Sequence, residues 1–403
     1  MRKIIGHGRT GPASMAAIVE SMTSLSLPFD SAAILGGGLM GRLLALALAQ
    51  SGCRVDLYEA GSADAEGAAA RVAAAMLAPL AESAVAPAPL VRMGQHALDR
   101  WPQLLAELAE PVFFQREGTL VLWHRQDAAE AQRLARVLES TVRAVPELPA
   151  MRAVDSAGIA ALEPSLGQRF ARGLFLPGEG QLDNRALLAA LHATLRAHPR
   201  VRLHWQSPRD PDDFSPGSAG QPDRVLDCRG LGAKPQWRSL RGVRGEVIRV
   251  HAPEVGLRRP TRLVHPRYPL YIAPKPDNVF VIGATEIESE DRSPASVRST
   301  LELLSAAYAV HSGFAEARIL EIATQCRPTL ADNLPGIRQP RPGVLQVNGL
   351  YRHGFMIAPA MLDVALQLLQ DGHSPLAERF GLPALARLSK GTAPEAAEHG
   401  ITP

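Results

Sequence analysis

"SAAILGGGLMGRLLALALAQSGCRVDLYEAG", residues 31–61, divides into three pieces: a short apolar strand, a glycine turn opening a helix apolar all round, and a second strand, Arg54–Tyr58, that ends in Glu59. Strand, turn, helix and strand in this order make a βαβ unit. A helix apolar on every face is buried on every face, as the first helix of a doubly wound sheet is when it lies between layers. The run Ala32–Ala49 is long enough to raise the question of a membrane span. Its glycines, Gly36, Gly37, Gly38 and Gly41, together with Arg42, answer it in favour of the sandwiched helix, and no membrane partner is expected.

The turn carries Gly36-x-Gly38-x-x-Gly41. Glycine is needed there for the tight turn, for close approach of backbone to a pyrophosphate, and for packing of helix on strand. The motif alone is weak. Here it follows a strand, opens a helix, and is completed at the next strand end by Glu59, a carboxylate placed to accept from ribose hydroxyls. A dinucleotide site is the expectation, against the plainer reading of a glycine-rich turn.

The whole chain of 403 residues, 46% hydrophobic, is too long for one ordinary core and suits two domains. Its net charge is only +3 and its basic residues are scattered, so a nucleic-acid footprint is missing and a small-molecule partner is the default. Of the 43 basic residues only Lys3, Lys234, Lys275 and Lys390 are lysines, from which no function follows. Cys53, Cys228 and Cys326 are odd in number and far apart, giving neither a disulfide framework nor a paired metal site; no metal is expected, and a reducing cytoplasm fits. Residues 1–30 lack an apolar signal core and read as a disordered extension or a start codon placed too early.

Further along, Ala186–Pro199 reads as a helix, followed by the strand "RVRLHW", a loop rich in Pro, Asp, Gly and Ser, and the buried strand "RVLDCRG". Between Arg241 and Thr285 the pattern changes to period two, with "GEVIRVHA" and then two runs joined through Lys275, Pro276, Asp277 and Asn278, an antiparallel hairpin. In "SVRSTLELLSAAYAV", Val297, Leu301, Leu304 and Tyr308 share one helical stripe, expected to cover a face of that sheet. A final helix follows Gly349 and stops at Gly372, and the remainder loses periodicity and is expected to fray. Nucleotide-type elements thus return near residues 225 and 345 after long interruptions. An NAD enzyme normally keeps its nucleotide domain whole, so interleaving favours FAD. The small residues of "RVAAAMLAPLAES" (Arg71–Ser83) would let a second stretch of cofactor pass, although spacing alone leaves the dinucleotide open.

Taken in order, "GGGLMG" with Glu59, "AAAMLAP", "REGTLVLWHRQD", "GQLDNRALLAAL", "YIAPKPDNVFVIGAT", "CRPTLADNLPGI" and "GLYRHGFMIAPA" resemble the glycine oxidases of thiamine biosynthesis, in the D-amino-acid oxidase superfamily, from about residue 31 to about residue 372. The resemblance implies an α/β FAD-binding Rossmann-like domain (31–85, 176–240 and 325–372) interleaved with an α+β substrate domain on an antiparallel sheet (86–175 and 241–324), with 373–403 as a tail. It implies non-covalent FAD, oxidation of glycine to its imine, O2 reduced to peroxide, and a homo-oligomer. The imine supplies the thiazole ring or hydrolyses to glyoxylate and ammonia.

By motif, Arg327 is similar to the family's carboxylate-binding arginine, Tyr271 to a substrate-site tyrosine, and Arg352 to the arginine beside the flavin. Cofactor contacts carried over are Gly36, Gly38, Leu39, Met40, Gly41, Glu59, Ala60, Ala74, Ala75, Met76, and the loop Leu350, Tyr351, Arg352, His353, Gly354, Phe355 and Met356. Arginine's planar fork suits a small zwitterion's carboxylate and stays charged in a closed site. The competing reading of Arg327 is a surface ion pair, and of Tyr271 a core hydroxyl bonded to backbone.

A flavin accepts the hydride itself, so no side-chain acid or base is assigned. His265 and His353 are available, but lone histidines are more often structural, and the family loop usually carries a different polar residue at the position of His353. Cys326 departs further: related sarcosine oxidases tether FAD through a cysteine in a comparable segment, while most lone cysteines are inert core residues. Rival readings are another amine substrate (sarcosine, D-proline, a D-amino acid), a dehydrogenase feeding a membrane quinone, and a flavin-binding scaffold without turnover.

Overall fold

A computed structural model describes residues 26–265 and 270–388. Strands are numbered β1 to β17 along the chain. One sheet holds β1 (Ser31–Leu35), β2 (Arg54–Tyr58), β9 (Val201–His204), β10 (Arg224–Asp227), β16 (Gly336–Arg341) and β17 (Val344–Asn348), in the order β16-β17-β10-β1-β2-β9. All its neighbours run parallel except β16 on β17. The order reverses between β1 and β10, so the crevice at their carboxyl ends is the switch point where such sheets take ligands.

The second sheet has the order β15-β11-β14-β13-β12-β5-β7-β6. It holds β5 (Thr119–Leu122), β6 (Arg152–Asp155), β7 (Arg172–Leu176), β11 (Arg241–His251), β12 (Thr261–Leu263), β13 (Leu270–Lys275), β14 (Val279–Gly283) and β15 (Arg318–Thr329), antiparallel throughout except β12 on β5. A small sheet of β3 (Met76–Leu77), β8 (Gly180–Leu182) and β4 (Phe114–Gln115) lies at the junction. The fold is an α/β Rossmann-like sheet interleaved with an α+β unit.

Helix α1 (Leu39–Gln50) is buried from Leu39 through Leu46 and again at Leu48 and Ala49. Its one charge, Arg42, is fully buried, and its guanidinium donates to the carbonyls of Gly37 (2.6 Å), Leu188 (2.5 Å) and Ala63 (2.6 Å). Burial pushes its pKa down to about 10. A buried cation is tolerated only where its hydrogen bonds are met; here they tie the glycine loop to α3 (Asn184–Ala197), which lies on α1. The long helix α5 (Gly354–Asp371) packs on α2 (Ala88–Ala106), where Trp101 donates to the Phe355 carbonyl at 3.0 Å.

Three sequence expectations need correction. Helix α4 (Val297–Val310) does cover the antiparallel sheet, but through Ser299, Leu303, Ala306, Ala307 and Val310; of the expected stripe only Leu304 packs against that core, half-buried, while Val297, Leu301 and Tyr308 are exposed. The short side chains of Ala306 and Ala307 allow close approach, and Ser299 turns inward to the Glu246 carboxylate. Residues 373–388 are not a loose tail: α6 (Pro375–Phe380) is capped by Ser374 and buries Leu376, Ala377 and Phe380, while the rest of the expected tail, 389–403, lies outside the described residues. The boundary drawn at 324/325 falls inside β15, which continues to Thr329 because its pairing with β11 does. Arg327 therefore belongs to the antiparallel sheet. The expected extension at 1–30 lies outside the described residues up to residue 25, and Phe29 beyond it is already buried core.

Candidate active site

A cavity of about 660 Å³ opens between the carboxyl ends of β1, β10 and β17 and the face of the antiparallel sheet that carries Val247, Tyr271 and Arg327. Every residue expected from the sequence to touch cofactor or substrate lines it, with one exception, Gly41. A Cβ on Gly41 would stand 1.8 Å from the Gly36 carbonyl oxygen, so this glycine serves the packing of helix on strand and does not reach the cavity.

At the nucleotide end the wall is backbone. Gly36 has φ +99°, and a Cβ on it would meet the Cys228 carbonyl oxygen at 2.6 Å. Only glycine fits. Gly38 caps α1 and His353 caps α5, neither helix having a side-chain hydrogen bond at that end. Both helix starts thus offer amide donors and partial positive charge to a ligand. Gly354, the first residue of α5, has open space where a side chain would project. Glu59 accepts from the amides of Gly37 (2.5 Å) and Gly61 (2.8 Å), which fixes its carboxylate at the cavity edge.

The stretch Ala68–Ala70 and Val72–Met76 forms a thin middle wall. Behind it the buried Lys275 ammonium donates to the carbonyls of Ala74 (2.8 Å) and Leu182 (2.8 Å) and to Gln181 Oε1 (3.1 Å). Burial pushes this lysine down to about 7. A flat cofactor needs such a wall, and a dinucleotide fits the glycine cradle, the small-residue wall and the two helix starts that lack a side-chain cap bond.

At the other end stand the arginines. Arg327 donates to the carbonyls of Arg244 (3.2 Å) and Thr285 (3.1 Å), and among the described residues it has no carboxylate partner. Burial pulls its pKa below the usual value. Its guanidinium lies where a Cβ of Gly245 would be, 2.3 Å from Nη2, so Gly245 makes the room. Tyr271 alternates with Ile272 as expected: Ile272 joins the core under α4, whereas Tyr271 faces the cavity beside Gly283 with no hydroxyl partner among the described residues. Burial raises its pKa.

Arg352 is held differently. Its Nε lies 3.1 Å from Glu82 Oε2, and its Nη1 bonds Glu286, which also accepts from the Tyr351 hydroxyl at 2.5 Å. Glu82 in turn takes Arg262 Nη2 at 2.5 Å. Burial works against the Glu82 carboxylate, but Arg352 and Arg262 hold its pKa well below the usual range. Glu82, followed by burial's opposing effect, holds Arg352 charged. His353 Nδ1 stands 3.5 Å from Glu82 Oε2 without a hydrogen bond, and burial drives its pKa down to about 4. It is a neutral imidazole at the cavity wall.

Glu82, Glu286, Arg262 and Gly245 were not singled out from the sequence, and Lys275 was noted only as a rare lysine at the hairpin connection. Glu82 closes the apolar "MLAPLAE", and Glu286 opens the acidic run "EIESED", where neither carries a local signal. His265 is not among the lining residues. Cys326 is 2% exposed, and its Sγ points to the carbonyls of Ser289 (3.7 Å) and Asp291 (3.6 Å). Among the described residues no His, Cys, Asp and Glu group could hold a metal, and no helix is long and apolar enough to cross a membrane.

Comparison with known proteins agrees with this architecture. Residues 31–365 match the family described as FAD dependent oxidoreductase. A Rhizobium etli protein described as a thiamine biosynthesis oxidoreductase, ThiO, is 42% identical over 84% of this chain and 97% of its own length. The glycine oxidase of Geobacillus kaustophilus is 27% identical over 81% of this chain and 89% of its own. The crystal structure of glycine oxidase from that organism superimposes with a TM-score of 0.71 over 88% of this chain and 98% of its own, at 24% identity. The glycine cradle, the interleaved sheets and a match spanning nearly all the described residues lead to one conclusion: this chain belongs to the FAD dependent oxidoreductases, as an amino-acid oxidase of the ThiO type.

Proposed function

We propose that the enzyme oxidises glycine to its imine, with O2 as the final acceptor and H2O2 as its product, and that the imine goes to the thiazole of thiamine or hydrolyses to glyoxylate and ammonia. The observation that carries this is Arg327: a charged side chain drawn out of water against the cavity wall, with two carbonyls for company and no carboxylate. A substrate carboxylate completes it as a charge-assisted pair. The R. etli relative's description supplies the thiamine context.

FAD would be held by Gly36 and Gly38 at the start of α1, by Glu59 at the ribose, by Ala74–Met76 along its flat face, and by the Leu350–Met356 turn with the start of α5. When bound it supplies the hydride acceptor. This chain's own part is to hold the amino acid. Arg327 pairs the carboxylate, Tyr271 offers its hydroxyl beside it, and the buried wall of Val247 and Ala74 keeps water away from the substrate Cα. Fixing both carboxylate and Cα restricts the substrate to one approach, which is how such sites lower a barrier. Arg352, tied to Glu82 and Glu286, keeps the end of the cavity beside α5 in shape.

The test is the absorption spectrum of the pure protein, mixed with glycine without air. Bleaching of the yellow band, reversed by oxygen with peroxide released, is the expected result. No bleaching with glycine removes the assignment of substrate. Bleaching that air does not reverse points to another electron acceptor.

A further inference from the structure

We propose that Glu286 sets the charge of the acceptable substrate: from the cavity wall it uses up Arg352, so that Arg327 is the one buried guanidinium left to pair an anion, and amino acids with a second anionic group are turned away. This rests on the amino-acid oxidase reading above and names what that site selects.

Four arginines line the cavity, and they differ in what they already hold. Arg229 is bound to Asp227 at 2.9 Å and Asp210 at 3.0 Å. Arg352 is bound to Glu82 and Glu286. Arg292 is exposed at the mouth, where water and salt weaken its pull. Arg327 alone is both withdrawn from water and without a carboxylate among the described residues.

The set around Arg352 closes on itself. It contains two cations, Arg262 and Arg352, and two anions, Glu82 and Glu286, with His353 neutral beside them. Glu82 is buried and serves both arginines, so it is fixed by two partners. Glu286 is the half-exposed member, with its carboxylate on the cavity surface and the Tyr351 hydroxyl on its second oxygen. A second carboxylate on a substrate anchored at Arg327 would meet Glu286 as a like charge and would find Arg352 already engaged. Exclusion by a placed repulsive charge is a general route to specificity. Remove that charge, and Arg352 turns from a structural arginine into a second anion site.

Iminodiacetate is the probe of choice, being glycine with one added carboxymethyl group on nitrogen. In the FAD-loaded wild type, kcat/KM for glycine should exceed that for iminodiacetate. In Glu286→Gln the ratio should move toward iminodiacetate by about tenfold or more, through KM for the dicarboxylate, with flavin content retained. An unchanged ratio in a flavin-loaded variant overturns the proposal.

Binding gives a readout free of turnover, in the wild type alone, should the variant not fold. Acetate should perturb the flavin band at lower concentration than malonate, its dicarboxylate counterpart, and malonate binding as tightly as acetate overturns the proposal. Acetate binding with that preference, but no bleaching by glycine, would sink the glycine assignment and leave the charge filter standing.

Discussion

At its nucleotide end the cavity is shaped mainly by glycine backbone, whereas at its far end it presents the charged side chains of Glu82, Glu286, Arg327 and Arg352, with Arg262 behind Glu82. The first end works by leaving atoms out. Gly36 and Gly41 stand where a single methyl would strike a main-chain oxygen, and a main chain cannot turn aside. The second end works by balancing charges on flexible side chains, which shift and resolvate when one of them is changed. Substitutions should therefore act as near switches at the first end and as graded losses at the second.

The largest effect belongs to Gly36→Ala. Its φ of +99° and a Cβ placed 2.6 Å from the Cys228 carbonyl oxygen combine backbone strain with a collision that no rotamer relieves. A loss of about 3–5 kcal/mol is expected, seen as a drop in thermal midpoint and loss of flavin from the purified protein. Full flavin content with an unchanged midpoint would break the contrast between the ends.

Next comes Arg327→Ala. Removing one charge-assisted pair should raise the glycine dissociation constant about 100-fold, close to 3 kcal/mol, while flavin stays bound. Titration of glycine against the flavin spectrum reads both. Retained glycine affinity refutes the carboxylate role.

A smaller and more discriminating change is Gly245→Ala. Here the added methyl meets the far end of the Arg327 side chain, 2.3 Å from Nη2, not main chain. The arginine moves aside, so the fold should lose no more than about 1 kcal/mol while KM for glycine rises about tenfold. If instead the protein unfolds like Gly36→Ala, the two ends do not differ in kind.

How much of this was legible follows the same division. The nucleotide end could be read from Gly36, Gly38, Gly41 and Glu59 because its requirements are local: a sharp turn, a close approach and a strand end lie within one short segment. Interleaving of the two sheets showed in the return of nucleotide-type strands near 225 and 345. The charge set was not legible, since Glu82 and Arg262 are separated by 180 positions and meet only after folding. Helix α4 was misread for a related reason. Hydrophobic periodicity finds the apolar stripe, but Ala306, Ala307 and Ser299 win the sheet because small and hydrogen-bonded residues let the helix sit closer than Leu301 or Tyr308 would. Arg327 was assigned through its motif, and only the structure shows that it lies on the antiparallel sheet with Gly245 beneath it.

The smallest expected effect is a change of slope, at His353→Gln. His353 is 3% exposed, and burial lowers its folded pKa from 6.5 to about 4. Between those values the unfolded chain binds a proton that the folded one refuses, so the histidine makes stability fall as pH drops from 6.5 toward 4. The difference accumulates to about 3 kcal/mol at the acid limit and vanishes above pH 7. Glutamine keeps a polar side chain there but cannot titrate. At pH 7.5 the variant's thermal midpoint should lie close to wild type, within about 1 kcal/mol. At pH 5 it should have lost less than wild type has. Parallel pH profiles for the two proteins would mean that His353 takes up its proton in the fold as readily as in the unfolded chain, which would place a further positive charge beside Arg352 at pH 5 and end the neutrality of the set around Glu82 there.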